Sequence, residues 1–210
     1  KVDFLDISLE DYNISVELLE KKLILAKKQN KLPKLIILVH FAGLPCEMKK
    51  IYELKKKYNF KIMEDASHAL GSSYHKDRIG SCSYSDLCIF SFHPVKSITT
   101  CEGGMITTNN KLLHNKLLIY REHGISRFSK KSRKRPKYYE QVDLGYNYRM
   151  NDVEAALGIQ QLKKLDRFIK IRRKLFLRYL LKLKNTKLKM PKLYEDLYSA
   201  NHLFIILLNY

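Results

Sequence analysis

The sequence alternates strand-sized apolar runs with amphipathic segments, and this order most strongly limits the folds open to the chain. The runs "LIILV" (35–39) and "FKIMED" (60–65) are separated by a segment whose apolar residues, from Met48 to Leu54, recur at helical spacing. The first run follows a proline and indicates a buried strand. A strand, a helix and a second strand joined by short connections form a parallel unit with a right-handed crossover. We therefore predict an α/β fold built on a mainly parallel sheet.

Further predicted elements extend this pattern in both directions. A helix capped by Asn13 or Ser15 precedes the first strand, and the runs in "SDLCIFSF" and "GGMITT" predict two more strands. A helix follows over 110–122, and a long helix begins near Asn151, where an Asn or Asp residue caps it. The predicted organisation is part of a large domain (1–150), a long connecting helix (151–185) and the start of a small C-terminal α+β domain (186–210).

The net charge of the chain is strongly positive. Its 210 residues include 40 Lys and Arg against 21 Asp and Glu, a formal charge of +19. Part of this charge is concentrated in "SRFSKKSRKRPK" (126–137). The block can be a solvated loop, attract a diphosphate substrate into a nearby cleft, or bind nucleic acid or another anionic surface. The block lacks the interleaved aromatic residues of single-strand binders. Positive charge is therefore the only feature that supports a nucleic-acid-binding protein.

Several classes of protein are disfavoured by features that the sequence lacks. No apolar run reaches the length of a membrane span and no secretory signal pattern is present, so we predict a cytoplasmic protein without membrane association. The four cysteines form no CxxC pair and no zinc spacing with histidine, which indicates reduced thiols and no metal site. The chain begins with Lys1 rather than Met, and we interpret it as a piece of a longer protein.

Polar residues follow two of the predicted strands. Ligands of α/β proteins bind outside the carboxyl ends of the strands, which directs attention to residues 64–68 and 91–96. Asp65 lies in the first group and Lys96 in the second. Such a pair can be a simple ion pair. Alternatively, the two residues can hold opposite ends of pyridoxal 5'-phosphate, which needs a lysine for its aldehyde and an acid for its pyridine nitrogen.

The sequence leaves the roles of three further residues open. Ser91 is suitably placed to donate a hydroxyl group to a cofactor phosphate. His93 precedes a proline and has no evident acidic partner, which favours a role in shaping the loop over catalysis. His40 follows a strand and either faces the cleft or is a hydrogen-bonded core residue.

Three segments, "EDASHALGSSY", "FSFHPVKSITTCEGGM" and "LGYNYRMNDVEAALG", together resemble the DegT/DnrJ/StrS family of pyridoxal-phosphate-dependent sugar aminotransferases. With "LPKLIILVHFAGLPCEM" and "REHGISR", the resemblance spans roughly residues 30–170 in unbroken order. It implies the fold type I architecture of the aspartate aminotransferase class. The resemblance is closest to the branch that aminates C4 of a UDP-4-keto-6-deoxy-N-acetylhexosamine in pseudaminic acid biosynthesis, with L-glutamate as the expected amino donor.

The resemblance also implies a role for each site residue. Lys96 attaches the cofactor aldehyde, and Asp65 contacts the pyridine nitrogen. His68 contacts the side of the ring that bears the 3-oxygen, and Ser91 binds the phosphate. Asn147, with Arg149 as a weaker candidate, resembles a residue that reaches the phosphate in a neighbouring subunit, which implies a homodimer with shared active sites. The lysine favours transamination, because a dehydrating branch of the family has histidine in its place.

Part of the family's sequence pattern has no counterpart among these 210 residues. The missing part includes a segment that supplies a helix N-terminus for the phosphate and an aromatic residue that stacks on the ring, and most of the small C-terminal domain. Two hypotheses follow from this. The chain is either part of a working aminotransferase or a truncated, non-catalytic relative with an incomplete cofactor site.

Overall fold

The computed structural model describes residues 1–126 and 139–208, so the basic block predicted at 126–137 lies almost entirely outside the described residues. A four-stranded sheet forms the centre of the described structure, with its strands in the order β1 (Leu35–Val39), β2 (Lys61–Asp65), β5 (Leu87–Ser91) and β6 (Gly104–Thr107). The first three strands are parallel, and β6 pairs with β5 in the antiparallel sense. The predicted α/β fold with a mainly parallel sheet is confirmed. The strands are β1 (Leu35–Val39), β2 (Lys61–Asp65), β3 (Ser73–Tyr74), β4 (Asp77–Arg78), β5 (Leu87–Ser91), β6 (Gly104–Thr107), β7 (Ile125–Ser126), β8 (Glu140–Gln141) and β9 (Leu197–Tyr198).

The helices of the described residues begin near the predicted caps. Ser15 caps α1 (Val16–Lys28), because its Oγ accepts a hydrogen bond from the Leu18 N–H at 3.3 Å. The other candidate, Asn13, is buried and binds the loop after β1 instead, donating to the Leu44 carbonyl at 3.1 Å and accepting from the Phe41 N–H at 2.9 Å. The helices are α1 (Val16–Lys28), α2 (Met48–Tyr58), α3 (Lys111–Arg121), α4 (Asp152–Leu162) and α5 (Leu165–Leu183), with a short 3₁₀ turn at Phe41–Gly43.

The predicted continuous helix over 151–185 is in fact two helices. Asn151 caps α4 in a capping box with Glu154, and the Lys164 N–H closes a tight turn by donating to the Gln161 carbonyl at 2.9 Å. No side chain of α4 is buried, whereas Leu165 and Ile169 of α5 enter the core. The break therefore allows α5 to turn its apolar side toward the core. The division of the chain into domains stays a prediction.

The helices α1 and α2 cover one face of the central sheet and leave the other face exposed. One face presents alternate residues such as Ile36, Ile62 and Phe90, and these share one core with the apolar sides of α1 and α2. On the other face Ile37 is 54% exposed and Ile106, which pairs with Ile89, is 41% exposed. The expectation that β1 is a buried strand is thus met on one face only, since the helices α1 and α2 cover a single side of the strand.

The segment that contains β9 packs against the part of the chain that follows β2. Strand β9 pairs with β3, and the Ala200 N–H donates to the Ser72 Oγ at 2.9 Å across 128 residues of sequence. In the described part of the chain, none of the helices combines the length and apolar character needed to cross a membrane. The four cysteines are free, and only Cys101 is exposed.

Candidate active site

Strand pairing places Asp65 and Ser91 on the same face of the sheet. Asp65 ends β2 opposite Ile89, and Ser91 ends β5 two residues later. Because side chains alternate along a strand, Asp65, Ile89 and Ser91 share the face that α1 and α2 do not cover. Strands lie about 4.8 Å apart and rise about 3.3 Å per residue, so the Cα atoms of Asp65 and Ser91 are roughly 8 Å apart. The Ser67 N–H donates to the Asp65 Oδ1 at 3.0 Å and fixes that carboxylate.

A compact loop between β5 and β6 presents Lys96. The Phe92 N–H donates to the Gly103 carbonyl at 2.9 Å, and the Thr100 N–H donates to the Phe92 carbonyl at 3.0 Å. Gly103 has φ +139°, and a Cβ atom there would lie 2.7 Å from the Thr100 Oγ1. Only glycine fits this close approach without strain. The loop leaves the Lys96 side chain half-buried, beside a cavity of ≈ 340 Å³.

His68 lies within the electrostatic reach of both Asp65 and Lys96. Burial lowers the pKa of His68, the positive charge of Lys96 lowers it further, and the Asp65 carboxylate opposes both effects. The His68 Nδ1 is buried and has no hydrogen-bond partner among the described residues. The carboxylate, the imidazole and the amine therefore form one cluster at the carboxyl edge of the parallel strands.

The residues of this cluster fit pyridoxal phosphate. The cofactor requires an amine for its aldehyde, an acid for its ring nitrogen and polar donors for its phosphate and 3-oxygen. Lys96 and Asp65 could supply the amine and the acid, and Ser91 could supply a hydroxyl group. Two buried polar atoms, the His68 Nδ1 and the Ser97 Oγ, have no partner in the described structure and are available to such a group.

Asn147 and Arg149 lie outside this cluster in the single chain. The Asn147 side chain is exposed, and its Oδ1 accepts from the Arg149 Nε at 3.2 Å and Nη2 at 3.0 Å. Arg149 also forms an ion pair with Glu122 at 3.7 Å. The resemblance assigns Asn147 to the cofactor of a second subunit, and that assignment stays a prediction.

The structure decides between the interpretations of His40 and His93. His40 is fully buried; its Nδ1 accepts from the Cys46 N–H at 3.0 Å, so its Nε2 carries the proton and donates to the Glu64 Oε2 at 2.7 Å. It is a hydrogen-bonded core histidine that links β1 and β2. His93 is exposed, and its Nδ1 accepts from the Val95 N–H at 3.3 Å. This contact supports a role for His93 in shaping the lysine loop.

Sequence reasoning assigned no role to His202 or Arg172, although both lie near the cluster. The His202 ring packs against the His68 ring, with centroids 4.6 Å apart. Arg172 lines the cavity beside Lys96, and its Nη1 donates to the His202 carbonyl at 3.1 Å. The chain separation between these residues and the lysine loop hides this proximity. The polar "NH" before the apolar run at 203–208 was the only available signal.

Comparison with known proteins decides the family. A model of the DegT/DnrJ/EryC1/StrS aminotransferase family matches residues 1–210. The chain belongs to this family. The fold and the resemblance predicted from the sequence are confirmed. Members of this family are pyridoxal-phosphate-dependent, and a structurally similar Streptococcus pneumoniae protein described as a putative sugar aminotransferase has been solved in PLP and PMP forms.

The similar proteins extend over nearly all of the chain. A UDP-4-amino-4,6-dideoxy-N-acetyl-beta-L-altrosamine transaminase of Campylobacter jejuni is 44% identical over 209 residues, which are 99% of this chain and 52% of the relative. Helicobacter pylori PseC, an aminotransferase of pseudoaminic acid biosynthesis, superposes with a TM-score of 0.86 at 33% identity, covering 99% of this chain and 52% of that structure. The PLP form of the S. pneumoniae protein superposes at 0.78 with 26% identity, covering 96% and 53%. The chain thus spans about half the length of the curated relatives it matches.

Proposed function

We propose that the chain is part of a pyridoxal-phosphate-dependent aminotransferase that moves an amino group from an amino acid to C4 of a UDP-4-keto-6-deoxy-N-acetylhexosamine. The supporting observation is the cluster of Asp65, His68 and Lys96 at the carboxyl edge of the parallel strands, where the His68 Nδ1 lacks a partner in the described structure. A core ion pair alone would not leave a buried polar atom unsatisfied beside it.

The residues divide the chemistry between them. The bound cofactor supplies an electron sink that makes the α-proton of an amino acid removable. The Asp65 carboxylate, fixed by the Ser67 N–H, holds a proton on the ring nitrogen. The Lys96 amine would hold the cofactor aldehyde and, when an amino acid is bound, would serve as the base that takes up its α-proton. The Ser91 hydroxyl binds the phosphate, and His68 orients the 3-oxygen side of the ring.

The proposed substrate comes from the named relatives. The Campylobacter and Helicobacter proteins are transaminases for UDP-4-amino-4,6-dideoxy-N-acetyl-beta-L-altrosamine, at 44% and 35% identity. A UDP-linked 4-keto sugar for pseudaminic acid and cell-surface polysaccharide synthesis is therefore the proposed acceptor, with L-glutamate as the donor. The proposal includes a cytoplasmic homodimer whose subunits share active sites, and it includes no nucleic-acid partner.

A half-reaction tests this proposal. Purified chain is mixed with pyridoxal phosphate, and the visible absorbance of the lysine-linked cofactor is recorded before and after addition of L-glutamate. We expect a visible band that L-glutamate bleaches and that Lys96→Ala abolishes. Lys76→Ala is the matched control, because Lys76 is an exposed lysine in the turn between β3 and β4.

The second hypothesis, a truncated and non-catalytic relative, gives a different result. It predicts weak or no cofactor uptake by these residues, with uptake restored in a longer chain. Salt-dependent binding to arbitrary DNA without a visible band would instead support the nucleic-acid hypothesis. Equal bands in the Lys96→Ala and Lys76→Ala variants would contradict the proposed role of Lys96.

A further inference from the structure

His202 brings a second imidazole to the candidate site from the far end of the chain. Its ring lies against the His68 ring with centroids 4.6 Å apart and planes tilted by 34°. His202 is 8% exposed, and the Nδ1 atoms of both histidines are buried without a hydrogen-bond partner in the described structure. Ring packing is therefore the direct interaction between the two side chains.

The backbone around His202 is held on both sides. Its N–H donates to the Ala42 carbonyl at 2.9 Å, and its carbonyl accepts from the Arg172 Nη1 at 3.1 Å. The preceding residue Asn201 approaches the turn after β1 closely, because a Cβ atom on Gly43 would lie 3.2 Å from the Asn201 nitrogen. The same Cβ atom would lie 2.8 Å from the His68 carbonyl oxygen. Three distant segments are thus locked together where the two rings meet.

We propose that His202 is a positioning residue of this site, whose aromatic ring packs on His68 and keeps that imidazole out of an ion pair with Asp65. This inference rests on the proposed function, because it explains how the acid that contacts the ring nitrogen stays free. An imidazolium at His68 would attract the nearby Asp65 carboxylate and compete with the protonated ring nitrogen for it.

The charges around the pair support the same arrangement. Burial, then the positive charges of His68, Arg172 and Lys96, lower the pKa of His202 to about 4. Burial and Lys96 lower the pKa of His68, whereas Asp65 raises it. His202 is therefore a neutral ring at physiological pH, and it excludes water from one side of His68 without adding a charge.

The test measures the pKa of His68 by NMR of the imidazole resonances in the 210-residue chain without cofactor, with His68→Gln to assign the signal. We expect His202→Ala to raise the pKa of His68 by about one pH unit, because water then solvates the imidazolium. His202→Phe retains an aromatic ring and should preserve the lowered value. His75→Ala is the matched control, since His75 is exposed and packs on Tyr74 at 4.4 Å.

The possible outcomes separate this inference from the proposed function. An unchanged His68 pKa in His202→Ala, or the same rise in His202→Phe as in His202→Ala, overturns the positioning role. If His202→Ala unfolds, His202→Asn removes the ring while keeping a polar group, and the same criteria apply. A His68 response of the expected kind in a protein that forms no lysine-linked band would reject the proposed function while leaving the packing relationship intact.

Discussion

At the scale of single residues, the two histidines of the candidate site give the fold a dependence on pH. His202 has a folded-state pKa of about 4, below the value near 6.5 of an unfolded histidine. The unfolded chain therefore binds the proton more readily, so the stability associated with His202 is present above about pH 6.5 and is lost as the pH falls toward 4. The lowered pKa of His68 acts in the same direction.

We expect acidification from pH 7 to pH 4 to remove on the order of 2 kcal/mol of unfolding free energy through His202. Urea unfolding across this range measures the effect, and His202→Phe should reduce the pH dependence, because phenylalanine does not titrate. His75→Phe changes an exposed histidine and should leave the dependence as it is in the unaltered chain. A parallel pH dependence of the unaltered chain and His202→Phe would show that His202 is not the responsible group.

At the scale of elements, the buried contact between His40 and Glu64 links β1 to β2. Both side chains are buried, and the Ser85 hydroxyl also donates to the Glu64 carboxylate. We expect His40→Phe to lower the unfolding free energy by about 2 kcal/mol or more, because it leaves Glu64 and the Cys46 N–H with lost partners. Urea denaturation measures this change, with the exposed His114→Phe on α3 as the control. A loss below about 0.5 kcal/mol, the range of ordinary surface substitutions, would contradict this account of His40.

Most elements could be predicted because their signals are local. Short apolar runs indicated β1, β2 and β5, and the polar residues before α1 and α4 indicated their caps. The break between α4 and α5 could not be predicted in this way, because it depends on where the core accepts Leu165 and Ile169. The contact of His202 with His68 could not be predicted for a related reason, since it depends on the pairing of β9 with β3, two strands that lie far apart in the sequence.

At the scale of the whole molecule, the predicted sharing of active sites between subunits has a direct test. Asn147 is exposed and lies outside the Lys96 cluster of its own chain, which agrees with a role toward a second subunit. If Lys96 and Asn147 serve the same cofactor from different subunits, two inactive variants can complement each other. In a mixed dimer of Lys96→Ala and Asn147→Ala, one site regains both residues and the other loses both.

Equal amounts of these two variants, unfolded and refolded together, should recover about a quarter of the activity of the unaltered protein, since half of the dimers are mixed and each has one intact site. Turnover of L-glutamate with a UDP-4-keto sugar, in a chain long enough to be active, measures the recovery. The matched control mixes Lys96→Ala with Asp65→Asn, which belong to the same site and should not complement. Recovery in the Lys96→Ala and Asn147→Ala mixture that does not exceed recovery in the control mixture would contradict the predicted arrangement.

The central claim is that the Lys96 amine receives the cofactor aldehyde, and peptide mass spectrometry after borohydride reduction tests it most directly. The chain is incubated with pyridoxal phosphate, reduced so that the lysine–cofactor bond becomes permanent, and digested. We predict that the added mass lies predominantly on the peptide that contains Lys96. Modification spread over the exposed lysines, with Lys96 no more labelled than Lys76, would contradict the account.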